Sequence, residues 1–411
     1  MSPDTRHADA AVRRLGTLAA TTGFRIARAR VGAPVVSRRV RLLFVSGTAT
    51  GGSAVSTHQL AQGLAARGHD VGVLVQRRSR PRAGLVAASY ASWVTRVAAT
   101  PARAWRALRR AAITEPESSY RSGGVEVWTS VAPERVLPSV CAAFRPGVVV
   151  VSSVHRHAWT AIRARLKSAG LPSVLYVREA ATFEHTPIAE LRPDITVTNS
   201  EVHRHSAVAL GLPAVTIPSL IDVDQCDVHT SREVVLFVNP LPSRGLAVAV
   251  ALASERPDVR FAFQLSWPLR KHDERALRRL IRGHPNIELR SHEPQAARVY
   301  RDARVLLLPY RVDQRPRVVT EAQWNGIPVL ASDLPAHREA VGPGGLFVPV
   351  EAPPAAWATG LGVLWDDDST YARLGAAARA HARRDDQDAA RIVERFEALI
   401  ERVAQGADVT R

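Results

Sequence analysis

Between Asp313 and Ser332 the chain reads DQRPRVVTEAQWNGIPVLAS, with two acidic residues, Asp313 and Glu321, eight positions apart. Pro316 favours a helix start, because its missing N–H would be unpaired in a first turn anyway. Gly326 and Pro328 stop that helix, and Val329 to Ala331 is an apolar run of the kind that forms a buried parallel strand. A helix beginning there presents free backbone N–H groups and the positive end of its dipole, and both attract phosphate. Glu321 lies a turn deeper, on the same face as Arg317 by i,i+4 spacing. A carboxylate at that depth can accept two hydrogen bonds from a vicinal diol, such as the ribose of a nucleotide whose phosphates sit at the helix start. Taken alone, the stretch also fits an ordinary strand–helix unit with a solvated glutamate.

The segment resembles the donor-site signature of the retaining glycosyltransferases of family 4 (glycosyl transferases group 1). That signature is an acidic residue, seven further residues, then Glu, Ala and a Gly-x-Pro-Val turn. Glu321, Ala322, Gly326, Pro328 and Val329 fit it, and Asp313 stands where Glu is usual. The resemblance implies that Glu321 binds the ribose hydroxyls. It also implies that Asp313 faces the donor sugar, and that the backbone from Gln314 to Arg317 helps to hold it.

The elements that must carry this site alternate strand and helix. Arg41 to Ser46 reads as a first strand, followed by a Gly-rich loop to Ser53, a helix from about Ala54 to Arg67, and a second strand from Val71 to Val75. The loop reads GTATGGS rather than G-x-G-x-x-G, and Gln76 stands where a ribose-binding acid of a dinucleotide site belongs. Both disfavour a dinucleotide, although Arg77 and Arg78 leave NADP as an alternative. The loop and the RGHDV that follows the helix resemble the opening of family 4 enzymes, which implies that Gly51 and Gly52 let backbone approach donor phosphate and acceptor. The run VVVV at Val148 to Val151 leads into SSVHRHAW. The family has an acceptor-side histidine after this strand, so His155 or His157 fills that role; a structural histidine is the plain alternative.

A second half opens with the strand VVLFVN from Val234. In the loop after it the family pattern is Arg, four residues, then Lys-Gly, both cations holding the diphosphate. Here Arg244-Gly245 stands at the Lys-Gly place and Asn239 replaces the first Arg. Arginine keeps the charge and offers a fork of donors; asparagine removes a charge, so either Asn239-Pro240 contacts phosphate by an amide donor instead or the weight shifts onto Arg315 or Arg317. DLPAHREAVGPGGLFVPV resembles the family's terminal donor loop, with Glu339 on the donor side. The resemblance runs in order over roughly residues 41–385.

Composition bounds the reading. A chain of 411 residues is too long for one core and implies two domains. A net charge of +17 and a pI near 11.1 imply acidic partners such as sugar nucleotides, anionic lipid or nucleic acid. Only Lys167 and Lys271 are lysines, so the arginine excess is in part a composition bias. Cys141 and Cys226 have no metal-type spacing and fit a reducing compartment. No apolar run is long enough to span a bilayer, and the N-terminal stretch is too broken for a signal peptide, so a cytoplasmic enzyme is expected. Residues 77–122 carry Trp93, Trp105, Arg103, Arg106, Arg109 and Arg110 and read as one or two amphipathic basic helices. They offer either contact with an anionic membrane, peripheral on its inner face, or a solvated helix face. No aromatic RNA-binding signature accompanies the charge, so nucleic acid is not expected as a partner.

The expectation is therefore an α/β chain of GT-B type: two Rossmann-like doubly wound domains with a cleft between them. Residues 1–38 form a basic arm, 39–228 an acceptor-binding domain, 229–385 a sugar-nucleotide-binding domain and 386–411 a C-terminal helix. The function implied is transfer of a sugar from a nucleoside-diphosphate sugar to a glycan, lipid-linked or small-molecule acceptor, with retention of configuration and without cofactor. The nucleotide sugar is the substrate. No acidic pair stands at a donor strand end, since Asp366, Asp367 and Asp368 lie in the C-terminal helical region, so no metal is expected. A GT-B epimerase or hydrolase, or a catalytically impaired interaction protein, are the alternatives.

Overall fold

The computed structural model describes residues 38–48, 51–77, 113–154, 156–178 and 192–407, with the backbone alone for Arg156 and His157. The first sheet has eight strands: β1 (Arg41–Ser46), β2 (Asp70–Gln76), β3 (Ser118–Ser122), β4 (Val125–Ser130), β5 (Val148–Ser152), β6 (Ser173–Val177), β7 (Ile195–Thr198) and β8 (Ala214–Thr216). Their order is β3-β4-β2-β1-β5-β6-β7-β8, parallel throughout except where β3 runs against β4. β1 and β5 are apolar on both faces because helices cover both, as a central parallel strand requires.

The second sheet contains β9 (Val234–Val238), β10 (Phe261–Gln264), β11 (Ile287–Arg290), β12 (Ala303–Leu308), β13 (Val329–Ser332) and β14 (Gly345–Val348). It is entirely parallel in the order β11-β10-β9-β12-β13-β14. Numbered within this half, that is the doubly wound order 3-2-1-4-5-6, whose direction reverses between its first and fourth strands. The reversals fall between β9 and β12 here and between β1 and β5 in the first sheet. Ligands of such sheets lie beyond the strand C-termini at those crevices.

Each sheet has its own core. Phe237 and Phe263 meet edge to face at 5.1 Å in the second, while Phe44 and Tyr176 lie in the first. The Ala389–Ala404 helix returns to the first domain. Its buried Ile392, Val393, Phe396, Leu399, Ile400 and Val403 make one apolar stripe, and the Phe396 ring lies 6.1 Å from Phe44 and 6.0 Å from Tyr176.

The reading of 77–122 as basic helices needs correction where it is described. Ser118–Ser122 is an edge strand, joined to β4 by Gly123 and Gly124 at φ 56° and 80°. Positive φ at both central residues is the two-residue hairpin turn that matches strand twist, and glycine reaches it without strain. The Trp93 to Arg110 part of that segment and the arm before residue 38 lie outside the described residues. Among the described residues no helix is long and apolar enough to cross a membrane.

Candidate active site

β9 ends at Val238 and the chain turns at once. Asn239 sits at φ 61°, a left-handed position that asparagine tolerates better than most residues. This gives Asn239 a backbone reason to stand where the family has arginine. A short 3₁₀ turn, Pro242–Arg244, leads to Gly245 at φ 78°. A Cβ on Gly245 would lie 1.9 Å from the carbonyl oxygen of Pro309, just after β12. The two loops flanking the β9–β12 crevice are thus packed backbone to backbone, and only glycine permits it. Arg244 lies over the ring of Tyr310 at 4.6 Å. Tyr310 is buried and donates its hydroxyl hydrogen to Val238 O at 3.2 Å, so the cation rests on a fixed floor.

The helix beyond the second loop spans Arg317–Trp324, with extended Pro316 as its N-cap and no side chain on the first-turn N–H groups. Helical geometry thus begins one residue after the proline. Glu321 is buried; its Oε1 accepts from Arg317 Nε at 2.7 Å and its Oε2 from the Tyr300 hydroxyl at 2.6 Å. Burial, then the Glu321 charge, push Tyr300 well above the usual phenol range. Two contacts leave a carboxylate with further lone pairs, so a diol can still be accepted. Asp313 has another employment: its Oδ1 accepts from Ala336 N at 2.9 Å, at the start of the Pro335–Val341 helix. Glu339 points its carboxylate to the first domain, accepting from Glu201 N at 3.1 Å and Val202 N at 3.3 Å.

The first domain meets this loop through the Gly52–Ala66 helix. Gly51 is its N-cap at φ 89°, again with no side-chain cap. A Cβ on Gly51 would stand 3.6 Å from the Trp267 ring, and one on Gly52 would stand 3.2 Å from the Arg317 side chain. Arg317 Nη1 also donates to Gln59 Oε1 at 3.1 Å on this helix. Arg178 anchors the same helix, donating to Ser53 O and to Thr57 Oγ1 at 3.0 Å, with its guanidinium 4.2 Å over Tyr176. Two uncapped helix starts, one from each domain, therefore stand together across the cleft with Arg317 between them. His155 lies outside the described residues, and His157 is placed by backbone alone, in the first turn of the Arg156–Ser168 helix.

Several participants escape sequence reasoning. His337 is fully buried; its Nδ1 donates to Ser332 O at 3.0 Å and its ring meets Tyr310 edge-on at 6.0 Å. Burial lowers its pKa, so the ring is neutral with Nε2 as the free acceptor. Asp222, between β8 and β9, accepts a hydrogen bond from Gln225 at 2.7 Å; burial raises its pKa, while that bond and, more weakly, Arg317 oppose the rise. No local signal ties Tyr300, Gln59 or Trp267 to the loop, because each arrives from a separate element.

The three acids at 366–368 are all structurally occupied: Asp366 pairs with Arg256 at 3.0 Å, Asp367 caps the Asp368–Ala382 helix, and Asp368 pairs with Arg304 at 2.6 Å. Among the described residues, His69, Glu397 and Glu401 offer ligand atoms within 4.8 Å of one another. Val40 N donates to His69 Nδ1 at 3.1 Å, which places the imidazole hydrogen on Nε2, and Nε2 donates to Glu397 Oε1 at 2.8 Å. With Arg67 also on Glu397 at 2.6 Å, the cluster is a clamp for the returning helix. It sits just before β1 and β2, at the end of these central strands opposite the glycine loop.

Residues 232–367 match the sequence model of the family described as Glycosyl transferases group 1. Within those residues the chain carries that family's sequence pattern. It is 27% identical over 214 residues to a D-inositol 3-phosphate glycosyltransferase of Arthrobacter sp. (strain FB24), covering 49% of this chain and 47% of that protein. A second such protein, from Corynebacterium glutamicum (strain R), is 40% identical over 87 residues, 21% of each chain. The chain thus matches about half the length of the first of these relatives. Sucrose-phosphate synthase from Thermosynechococcus elongatus superposes with a TM-score of 0.69 at 14% identity, over 90% of this chain and 100% of that one. Anabaena HepE in complex with UDP-glucose does so with a TM-score of 0.63 at 15% identity, over 88% and 98%. At such identities the likeness is one of fold, and the fold is GT-B.

Proposed function

We propose that this chain transfers a sugar from a nucleoside-diphosphate sugar to an acceptor held by the first domain, with retention of configuration and without a metal ion. One observation carries the reading: two uncapped helix starts and the Arg317 side chain converge across the cleft, beside the loop that seats Arg244 on Tyr310. A departing nucleoside diphosphate gains negative charge as the glycosidic bond breaks. Fixed guanidinium groups and aligned N–H groups stabilise that charge without having to reorganise. In this reading Arg244 and Arg317 supply the positive charge that a divalent ion supplies elsewhere. Glu321 takes the ribose hydroxyls on its remaining lone pairs, and Asp313 and the loop backbone orient the sugar.

HepE binds UDP-glucose, as its structure states, and this favours a UDP-sugar donor. The curated relatives are named for a phosphorylated inositol acceptor, which makes a small phosphorylated polyol the first acceptor to try, ahead of glycan and lipid-linked ones. Retention follows the family resemblance. The deciding experiment is a thermal-shift screen of UDP-, GDP- and dTDP-sugars followed by product analysis by NMR. A donor at a hundred times its dissociation constant should stabilise the protein by roughly 2.7 kcal/mol. Stabilisation by no nucleotide sugar would sink the reading, and free sugar released without acceptor would make the chain a hydrolase. Activity should survive excess chelator; its loss on chelation and return with Mg²⁺ or Mn²⁺ would refute metal independence. The basic composition supports an anionic membrane surface as a further partner, tested by co-sedimentation with anionic vesicles at low and high salt.

A further inference from the structure

The donor loop is fastened to the opposite domain by a side chain that the phosphate chemistry does not use. Arg315 has only 8% of its side chain exposed. Its Nη1 donates to Asn199 O at 2.9 Å, and Asn199 Nδ2 donates back to Arg315 O at 3.2 Å. Asn199 follows β7 in the first domain and is itself buried, its Oδ1 3.2 Å from His203 Nδ1, which fixes the way the amide faces. Behind the guanidinium, at 3.7 Å, stands Glu339 of the second domain. The Glu339 carboxylate reaches across the cleft to the first-turn N–H groups of the Glu201–Ala209 helix, where the helix dipole favours an anion. Loop, arginine, glutamate and helix therefore make a closed circuit between the domains. Arg315 and Asn199 are largely removed from water and Glu339 is partly so, and a polar group held out of water is costly once its partner leaves.

The circuit lies two residues from Arg317, which packs on Gly52 and bonds Gln59. Seating Arg315 thus brings the start of the Arg317–Trp324 helix up to the start of the Gly52–Ala66 helix. We propose that Arg315 is a positioning residue: held by Asn199 and Glu339, it latches the donor loop to the first domain so that both helix starts face one diphosphate together. The ligand rests on the nucleotide-sugar reading above; the latch does not. Released from it, the domains part, and a ligand that needs both helix starts binds in proportion to the closed fraction that remains.

The test uses full-length Arg315→Ala and Glu339→Gln, the second a milder change that keeps an acceptor for the helix N–H groups. Small-angle X-ray scattering of the ligand-free proteins should give a larger radius of gyration for both than for the parent, and saturating UDP should restore the parent value. UDP titration should show affinity about tenfold weaker, the signature of a closed fraction reduced to about a tenth. In turnover, donor KM should rise while kcat falls by a smaller factor, whereas a purely structural defect would lower the active fraction and leave donor KM in place. Folded variants with the parent's scattering curve and UDP affinity would overturn the proposal. Should the parent fail to bind UDP, the preference for a UDP donor falls and the scattering comparison alone decides the latch; should Arg315→Ala fail to fold, Glu339→Gln decides it.

Discussion

The two halves of the cleft rest on the same parallel-sheet plan, yet they furnish their strand ends differently. In the second domain the furnishing is side-chain chemistry set on buried aromatics: Arg244 lies on Tyr310, and Glu321 is gripped by Tyr300 and Arg317. In the first domain it is mainly backbone, with Gly51 and Gly52 exposing a helix start and Arg178 holding Ser53 O and Thr57 from behind. The family match falls wholly in the second half, at residues 232–367. Under the proposed function, a diphosphate and a ribose would impose fixed charges at fixed spacings, and the residues meeting them would form a pattern along the chain. An acceptor met by loops and backbone would leave no such pattern.

That contrast can be broken most directly at Arg244. Arg244→Ala should lower kcat/KM for the sugar donor by about 10²–10³-fold, the usual loss when a preorganised charge partner of the transition state is removed. Parent-like steady-state kinetics would show that the second half does not carry the leaving-group chemistry. The next largest effect tests the opposite strand ends of the first domain, where chemistry and stability should separate. Glu397→Ala strands Arg67 and buried His69, and should cost about 2–3 kcal/mol of unfolding free energy in denaturant while leaving donor affinity alone. A change in nucleotide affinity would mean that the clamp reaches the cleft. Glu321→Ala comes third: nucleoside diphosphate itself, without sugar, should bind about tenfold more weakly by calorimetry, because a ribose contact worth about 1.4 kcal/mol exists in the ground state. Unaltered binding would assign Glu321 to holding Tyr300 and Arg317 only.

Much of the second domain's candidate site was legible as a pattern because its residues are local. Glu321 with the Gly326 stop, and Arg244 with Gly245, are spacings within one loop and one helix. Asn239 was legible as a departure, but its positive φ was not, since a substitution read as a lost charge turned out to serve a turn. Tyr310 and His337 meet Arg244 and Asp313 through tertiary packing alone, and PAHRE carries no periodic signal to announce a buried histidine. Asp313 and Glu339 were found by resemblance, yet their observed contacts are with Ala336 N and with the Glu201–Ala209 helix, which no family pattern encodes. The β3–β4 hairpin was missed although Gly123-Gly124 between alternating residues is a turn signal, because the arginine and tryptophan density before it suggested helix.

The smallest expected effect concerns pH, and it too divides the halves. Burial lowers the pKa of His337 and His381 in the second domain and of His58 in the first, all from an ordinary 6.5. A histidine held below its unfolded value binds fewer protons folded than unfolded, so stability is full above the unfolded pKa and declines as pH falls through 6.5 and below. The carboxylates with lowered pKa start from 4.5 or less, so they add little to the slope between pH 7.5 and 5.5. Each histidine that must stay neutral contributes at most about 1.4 kcal/mol per pH unit. Denaturant titrations at pH 7.5, 6.5 and 5.5 should therefore show a falling unfolding free energy, and His337→Asn, whose amide stands where Nδ1 does and can donate to Ser332 O but cannot take up a proton, should flatten the fall. An equal slope in parent and variant would place the acid sensitivity in His58 or His381 and remove His337 from the account. If the parent is as stable at pH 5.5 as at 7.5, none of the three rings is held neutral by burial, and the neutral imidazole beside Tyr310 must be abandoned with them.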